Sequence, residues 1–380
     1  MRTASTLRTV LTPLVGFRLL LGWGAFLVLL IAHPVPAAPL PPAALVVLLA
    51  IIVAVIVVCA FGVVDQAEHL AGSLGDPYGT LVLTLSIVMI EVILISAVML
   101  GPGDHTTIAR DSVMAVSMII LNLVIGVALL VGGLRHDDLR PNRTGVSAYL
   151  AVLVALSAIA FAFPGLIGVD GAYPAWQAMV IALLTVVLYG FFLARQMGPQ
   201  RADFQEVLPR GGEAPVDAAR PPIRVTLTEH RPELVARTAV LIVTVIPIVL
   251  LSHDMATLLD DGLGRAGAPV ALSGILIAMI VFLPETLTTV RAALAGEIQR
   301  VSNLCHGALV STVGLTIPAV LIIGLLTGQT VLLAENPTNL VLLGVTLMLT
   351  IATFSAKRVT AIHGATHLMV FVVYALTVFA

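Results

Sequence analysis

Long apolar stretches separated by short polar segments recur along the whole chain, and this pattern predicts a helical membrane protein. A bilayer-spanning helix needs about 20 predominantly apolar residues, and eleven runs approach or exceed that length. They occupy residues 14–32, 43–64, 79–100, 112–133, 146–168, 174–195, 234–252, 270–290, 304–327, 338–355 and 360–379. The predicted fold class is therefore an all-α polytopic membrane protein with about eleven transmembrane helices.

Composition agrees with this pattern. Hydrophobic residues make up 59% of the 380 residues and charged residues only 11%, which excludes a soluble globular protein because its surface needs more charge. Cys59 and Cys305 fall inside apolar runs and are interpreted as buried hydrophobic residues rather than a disulfide or metal pair. A net charge of −2 gives no indication of a nucleic-acid partner, and the predicted surroundings are the lipid bilayer.

The first apolar run admits two interpretations. Arg2 and Arg8 before it and small residues after it resemble a signal peptide. Its length and Trp23 favour a membrane anchor. The segment 1–42 is assigned to this first transmembrane helix, and the rest of the topology is the same in either case.

The distribution of basic residues predicts the orientation. With the amino terminus in the cytoplasm, all but two of the nineteen basic residues lie on the cytoplasmic side, the exceptions being Arg110 and Arg265. This is a strong positive-inside pattern. It predicts a multi-pass protein of the bacterial inner (plasma) membrane with its amino terminus cytoplasmic and its carboxyl terminus external.

The ten remaining spans divide into a first five-helix repeat, 43–195, and a second, 234–380, joined by a polar cytoplasmic linker, 196–233. An odd number of spans in each half predicts that the repeats are inverted in the membrane. The spacing agrees, since Arg110 precedes Asn122 by 12 residues and Arg300 precedes Thr312 by 12.

Two acidic residues lie within predicted spans, one in each half: Glu91 near the middle of 79–100 and Glu285 in 270–290. A charged side chain at that depth is costly and marks an ion or proton pathway. Two carboxylates sharing a low-dielectric site favour states of near-zero net charge, namely two protons, one divalent cation, or one monovalent cation with one proton. Competition between these states, with halves that rock about the midplane, predicts cation/proton exchange.

Several oxygen donors are candidate supporting ligands for a hard cation. Pro284 has no N–H, so the carbonyl of Ile280 loses its helical donor. The other candidates are hydroxyl and amide side chains in or near the glutamate spans, although such hydroxyls often bond to their own backbone. They are Thr84, Asn122, Thr288, Thr289, Ser311 and Thr312.

Other polar residues receive smaller roles. Glu68 and Asp76, placed in the loop before the Glu91 span, are candidates for lining a cytoplasmic vestibule, with a solvated loop as the alternative. His363 and His367 have the spacing of a soft-metal pair, but packing or pH sensing is favoured.

Three alternatives compete with inorganic cation exchange, and one of them, a proton-driven carrier of organic ions, is also a transporter. Glu285 paired with Arg291 would hold helices together without transport. An integral membrane enzyme acting on a lipid or isoprenoid substrate is disfavoured, because no HExxH, paired DxxxD or nucleophile motif lies at a membrane boundary.

The chain resembles the calcium/cation-proton antiporter family, part of the cation/Ca²⁺ exchanger superfamily, and most of all its bacterial ChaA-type members. The matching stretches cover most of the chain and include the residues around both glutamates. They are Ala67-Glu68 to Leu70-Ala71, Gly75-Asp76-Pro77-Tyr78-Gly79, the run to Glu91, Arg110-Asp111, Leu130-Val131-Gly132-Gly133, Ala268-Pro269-Val270, Pro284-Glu285, Gln299-Arg300, Asn303-Leu304, Leu315-Thr316-Ile317-Pro318 and His367-Leu368.

The resemblance implies an antiporter of Ca²⁺, Na⁺ or K⁺ against H⁺, with Glu91 and Glu285 as the central acids. It implies no enzyme activity and no cofactor beyond the transported ions. The chain departs from the family where many members have Asn shortly before each acid, since Val88 and Phe282 stand there, and where they have Gln in the ninth span, here Ser311. Fewer amide ligands argue against strict Ca²⁺ selectivity.

Overall fold

The computed structural model describes residues 9–32, 40–74, 106–207, 231–267 and 270–379, together with residues 82, 85, 88, 89, 91, 92, 95, 96 and 99. Nearly all of this is helical. The helices are α1 (Pro13–Ala32), α2 (Pro42–Leu74), α3 (the described helical residues of 82–99), α4 (Ile108–Arg135), α5 (Arg143–Ile167), α6 (Ala175–Met197), α7 (Arg231–Arg265), α8 (Val270–Val281), α9 (Leu283–Ala295), α10 (Ile298–Thr327), α11 (Pro337–Ser355) and α12 (Ala361–Thr377).

The predicted fold class is confirmed. Among the described residues, eight helices are long and apolar enough to cross a membrane by length and composition, and α12 is a shorter apolar helix. With α3, and with α8 and α9 taken together, the helical stretches number eleven in the predicted order. Several are longer than their apolar cores, since α2 runs to Leu74 and α7 to Arg265.

The eighth predicted span is two helices. Helix α8 ends at Val281, Phe282 forms a turn, and α9 begins at Leu283. Pro284 explains the break, because it has no N–H to continue the ladder and is well suited to the first turn of a new helix. The break places Glu285 in the first turn of α9.

The helices form two compact units, unit 1 (Met1–Leu83 and Gly212–Glu285) and unit 2 (Thr84–Gly211 and Thr286–Ala380). In unit 1, α1 packs against α2 and α7. Arg18 of α1 pairs with Asp65 of α2, and the Trp23 Nε1–H donates to the carbonyl of Val243 at 3.1 Å. The leading helix is therefore joined to the rest of unit 1 by polar contacts as well as apolar packing.

In unit 2, α10 is the most enclosed long helix after α4, and it packs against α5 and α6. Gly314 permits close approach of α6, because a methyl group there would meet the ring of Tyr189 at 2.9 Å. Helix α10 also buries seven polar side chains, and on a helix of membrane length these need hydrogen-bond partners from neighbouring helices or loops. They are Gln299, Ser302, Asn303, His306, Ser311, Thr312 and Thr316.

The loops of unit 2 gather at two ends. At one, which we call the Glu335 end, Leu332 N–H donates to Thr106 and Leu332 bridges to Ala172. At the other, which we call the Gln299 end, the Asn142 N–H donates to Gln299 Oε1 at 2.8 Å and Val359 bridges to Leu139. The loops predicted to be external meet at the Glu335 end, and those predicted to be cytoplasmic meet at the Gln299 end.

The start of the polar linker is ordered against the Gln299 end. A 3₁₀ turn, Arg201–Phe204, follows α6. Phe204 is buried against Tyr149 and Phe192, with ring centroids 5.2 and 5.8 Å away, and its carbonyl accepts from Asn303 Nδ2 at 2.7 Å. The polar composition of the linker gave no indication that Phe204 anchors its start. Residues 208–230 of the linker lie outside the described part of the chain.

Candidate functional site

Glu91 is a buried carboxylate that accepts one hydrogen bond from the described residues. Its residue surface is 7% exposed, and its Oε2 accepts a 2.7 Å hydrogen bond from Thr312 Oγ1 of α10. Within the described residues, Oε1 has no hydrogen-bond partner. An isolated buried carboxylate oxygen is costly, and here it is a point at which a proton or a cation would be stabilised.

The face of α10 around Thr312 carries further hydroxyls. Ser311 accepts from the Tyr189 hydroxyl at 3.0 Å, so its oxygen is already engaged by α6. Thr316, one helical turn beyond Thr312, is fully buried, and its hydroxyl lacks a hydrogen-bond partner among the described residues. Thr316 is not among the ligands predicted from the sequence, although its position one turn after Thr312, on the same helix face, is a signal for it.

Glu285, the second predicted acid, is also buried, with 4% of its residue surface exposed. It lies in the first turn of α9, where the unpaired backbone N–H groups of a helix start favour a negative charge. Ile280 lies in the last turn of α8, ahead of the break.

Two threonines that follow Glu285 on α9, both candidate supporting ligands, are buried. Thr288 is 2% exposed and Thr289 is fully buried. The Thr289 oxygen lies 3.9 Å from Cys305 Sγ, which is oriented to donate to it. Thr289 is thus in contact with α10 through a weak sulfur donor, and its oxygen keeps acceptor capacity.

Asn122 is fully buried, but its amide is engaged by other helices. Its Nδ2 donates to Thr346 Oγ1 of α11 at 2.9 Å, and its Oδ1 lies 3.4 Å from His367 Nδ1 of α12. Asn122 sits in a π-helical segment of α4, Ile119–Val124. Such a segment adds a residue to the turn and rotates the following side chains, which explains why its face was hard to predict.

The two carboxyl-terminal histidines do not converge. His363 caps the start of α12 through Thr360, with its Nδ1 2.9 Å from the Thr360 hydroxyl, whereas His367 contacts Thr353 and Asn122. Among the described residues, no group of three or more His, Cys, Asp or Glu side chains is placed to hold a metal ion. The described contact at Glu91 joins a carboxylate oxygen and a hydroxyl oxygen, which are ligand types that suit hard cations.

Unit 1 contains a cavity of about 500 Å³ at the start of α1. Glu68 and His69 line it together with the Arg18–Asp65 pair and Arg237. Glu68 lies on α2 rather than in the predicted loop, because the helix continues for ten residues beyond its apolar run. Asp76 and Thr84 fall outside the described residues.

Comparison with protein families gives a match over most of the chain. The family model described as sodium/calcium exchanger protein matches residues 44–198 and 236–380. These two ranges begin and end within three residues of the two halves predicted from the apolar pattern.

Individual relatives agree with this family match. The chain is 36% identical over 338 residues to y4hA of Sinorhizobium fredii, a proposed ionic transporter, covering 88% of this chain and 89% of y4hA. It is 32% identical over 330 residues to the sodium-potassium/proton antiporter ChaA of Escherichia coli, covering 86% of this chain and 87% of ChaA.

Solved structures share the fold. Native YfkE matches with a TM-score of 0.67 at 17% identity, covering 96% of this chain and 99% of YfkE. The H⁺/Ca²⁺ exchanger CAX matches with a TM-score of 0.64 at 14% identity, covering 95% of this chain and 88% of CAX. At these identities the likeness concerns the polytopic helical fold alone.

Proposed function

The chain belongs to the sodium/calcium exchanger protein family, and on that premise we propose that it is an antiporter exchanging cytoplasmic Ca²⁺ and/or Na⁺ or K⁺ for external protons. Membership of an exchanger family excludes the alternative of a lipid-modifying membrane enzyme. The proposal adds proton coupling, the ion-binding residues and the direction of exchange.

The observation that carries the proposal is the state of Glu91. Its carboxylate is buried, receives one hydroxyl donor from Thr312, and has a second oxygen with no hydrogen bond in the described part of the chain. A proton on Oε1 removes the charge, and a bound cation compensates it. The two occupants use the same oxygen, so each excludes the other.

Glu285 provides the second acid of the proposed mechanism. A divalent cation needs two negative charges to reach near-zero net charge, and a monovalent cation leaves one acid for a proton. Cation release therefore requires proton uptake on the glutamates, since bare buried carboxylates are costly. This requirement couples the two fluxes without a further energy source, and alternating access to the two sides makes the exchange directional.

The proposed inverted repeat has independent support. The same family model matches each half of the chain. In addition, each compact unit draws on both halves, since unit 1 contains α2 from the first and α7 from the second. Both halves divide within or next to the glutamate-bearing stretch, at Leu83 and at Glu285.

The donor types favour a broad rather than a strict cation preference. The described donor to Glu91 is the Thr312 hydroxyl, and the Asn122 amide is engaged by Thr346 and His367. The relative ChaA is named for sodium, potassium and protons. We place the protein in the bacterial inner membrane, with the Gln299 end cytoplasmic and the Glu335 end external, as the basic residues predict.

Everted membrane vesicles test the proposal. Respiration acidifies their interior, and a trapped pH-sensitive dye is quenched. Addition of CaCl₂, NaCl or KCl should restore fluorescence in vesicles containing the wild-type protein, and the responding salt identifies the cation. Vesicles with Glu91→Gln at equal protein content are the matched control. A wild-type protein indifferent to all three salts would refute the proposed exchange.

A further inference from the structure

A second buried carboxylate of unit 2 lies outside the spans. Glu335 precedes α11 in the loop 328–336, and its side chain is 1% exposed. Its Oε2 accepts from the Asn336 backbone N–H at 3.0 Å and from Asn339 Nδ2 at 2.9 Å. Its Oε1 is buried, and no hydrogen bond to it is found among the described residues. The carboxylate is thus half satisfied.

Arg110 is the cation nearest to that oxygen, but its donors are directed elsewhere. Its Nε is 2.8 Å from Asp111 Oδ1 and 3.9 Å from Glu335 Oε1, and one terminal nitrogen donates to the carbonyl of Ala334 at 3.0 Å. Asp111 is half exposed, whereas Glu335 is enclosed. One guanidinium therefore lies between two carboxylates and is closer to the one in water.

The described charged and titratable groups around Glu335 are few. Helix α4 contributes Arg110 and Asp111, and α12 contributes Tyr374, which is within electrostatic reach of both acids. The α11 partners, Asn336 and Asn339, are neutral. Burial raises the pKa of the Glu335 carboxyl above its ordinary value; Asn339, the Asn336 N–H and Arg110 oppose the shift, and Asp111 adds to it.

We propose that Glu335 is a proton-binding site at the Glu335 end of unit 2, and that its ionisation draws Arg110 from Asp111 toward Oε1. Arg110 is in the first turn of α4, and Glu335 immediately precedes the cap of α11. The pair therefore links the starts of two helices that also meet through Asn122 and Thr346. The ionised state strengthens this link, and protonation releases it.

The effect of this site on ion exchange rests on the proposed function, whereas proton binding by Glu335 does not. External acid releases the α4–α11 link on the side from which the incoming protons are proposed to arrive. Exchange should then increase as external pH falls through the titration of Glu335, in addition to any dependence set by Glu91 and Glu285.

Proton binding itself is tested without transport, by thermal unfolding of purified protein between about pH 4 and 8. A carboxyl whose pKa is raised by folding makes the folded state less stable as pH rises above its unfolded value of about 4.3. The unfolding temperature of the wild type should therefore fall with pH relative to Glu335→Gln, which keeps an oxygen acceptor but cannot ionise. Parallel curves for the two proteins would overturn the proton site.

Asp111→Asn is the matched control, since it removes an acid from the same guanidinium at an exposed position. It should retain the wild-type decline, with the midpoint moved slightly to lower pH because one nearby negative charge is gone. A flat profile in Asp111→Asn would assign the titration to Asp111 and reject Glu335.

The effect on exchange is measured in proteoliposomes by varying pH only on the side of the Glu335 end. Wild-type exchange should show an added acid-activated step, and Glu335→Gln should lose that step and stay at the acid-side rate. An unchanged profile in an active Glu335→Gln protein would overturn the device. If neither protein exchanges ions, the proposed function fails, while the unfolding curves still decide proton binding.

Discussion

Glu91 and Glu335 are both enclosed carboxylates of unit 2, yet their surroundings differ. Glu91 lies within an apolar span and receives one hydroxyl donor, from Thr312. Glu335 lies in a loop, receives a backbone N–H and a side-chain amide, and has Arg110 3.9 Å away. Each has one oxygen without a hydrogen bond within the described chain.

The difference shows how much compensation a buried acid obtains from the protein. Glu335 has a nearby cation and two donors, which offset part of the cost of burying its charge. In the proposed device, that charge strengthens the contact between α4 and α11. Glu91 accepts one hydroxyl hydrogen bond from the described residues, so the described part of the chain offsets less of its charge. The less compensated acid is accordingly the better candidate for a transport site.

The largest expected effect is the loss of exchange when either of the two proposed transport acids is neutralised. Glu91→Gln should reduce exchange per folded molecule by about 100-fold or more, since an amide neither takes up a proton nor balances a cation with its charge. Glu285→Gln should do the same. Vesicle flux normalised to the protein recovered by size-exclusion chromatography measures this, and Glu335→Gln is the control that should still exchange.

The folding stability of the same two variants distinguishes a transport role of the glutamates from a structural role in holding helices together. Removing the charge of a carboxylate buried within an apolar span takes away a cost of about 2–3 kcal/mol, so thermal stability without ligand should hold or rise. If Glu285 mainly braces Arg291, Glu285→Gln should instead lower the unfolding temperature, and flux should fall only with the folded fraction. Near-normal flux in either Gln variant would exclude the two-carboxylate mechanism.

An intermediate effect is expected from Thr312, the donor to Glu91 in the described part of the chain. Thr312→Val keeps the shape of the side chain and removes the hydroxyl, so the apparent KM for the cation should rise about tenfold, the cost of one hydrogen bond to a charged group. Thr312→Ser retains the donor and should remain near wild type. Equal KM values in the Val and Ser variants would show that the contact does not serve cation binding.

A smaller effect tests the compensation of Glu335. Arg110→Gln leaves the buried carboxylate without its nearest cation and should destabilise the protein by about 1 kcal/mol near neutral pH. Combining it with Glu335→Gln should restore most of that loss. Arg140→Gln is the matched control, because Arg140 and Asp138 form an exposed pair whose loss should cost about 0–0.5 kcal/mol. Equal losses in both Arg variants would argue against a specific role for Arg110.

The smallest effect is expected in the unit 1 cavity. Glu68 lines it without being fully buried, so Glu68→Gln should raise the apparent KM for the cation by no more than about threefold, as expected for a partly exposed charge that attracts the ion. The maximal rate should be maintained. Complete loss of exchange in well-folded protein would show that Glu68 is more than a vestibule residue.

The sequence predicted the number and order of helical stretches. A helix that crosses a bilayer needs a minimum number of consecutive apolar residues, and each such run can be recognised without knowledge of the rest of the fold. It also singled out Glu91 and Glu285, since a charge inside an apolar run is conspicuous; both are buried, and their role as ligands stays a prediction. Pro284 predicted the disturbance before Glu285, as a proline acts on its own turn. Helix ends were less certain, and Glu68 was placed in a loop because polar residues extend α2 beyond the apolar run.

Other features depend on distant parts of the chain. The partner of Glu91 is Thr312, on a helix 221 positions away, and only packing of α3 against α10 selects it from several candidate hydroxyls. The π-helical segment of α4 rotates Asn122 toward α11 and α12. Glu335 lies in a loop, and it is enclosed by contacts with Arg110 of α4, Phe161 of α5 and Asn339 of α11. Local pattern therefore determined which segments enter the membrane and which acids are costly there, whereas tertiary contacts decided which donors compensate each acid.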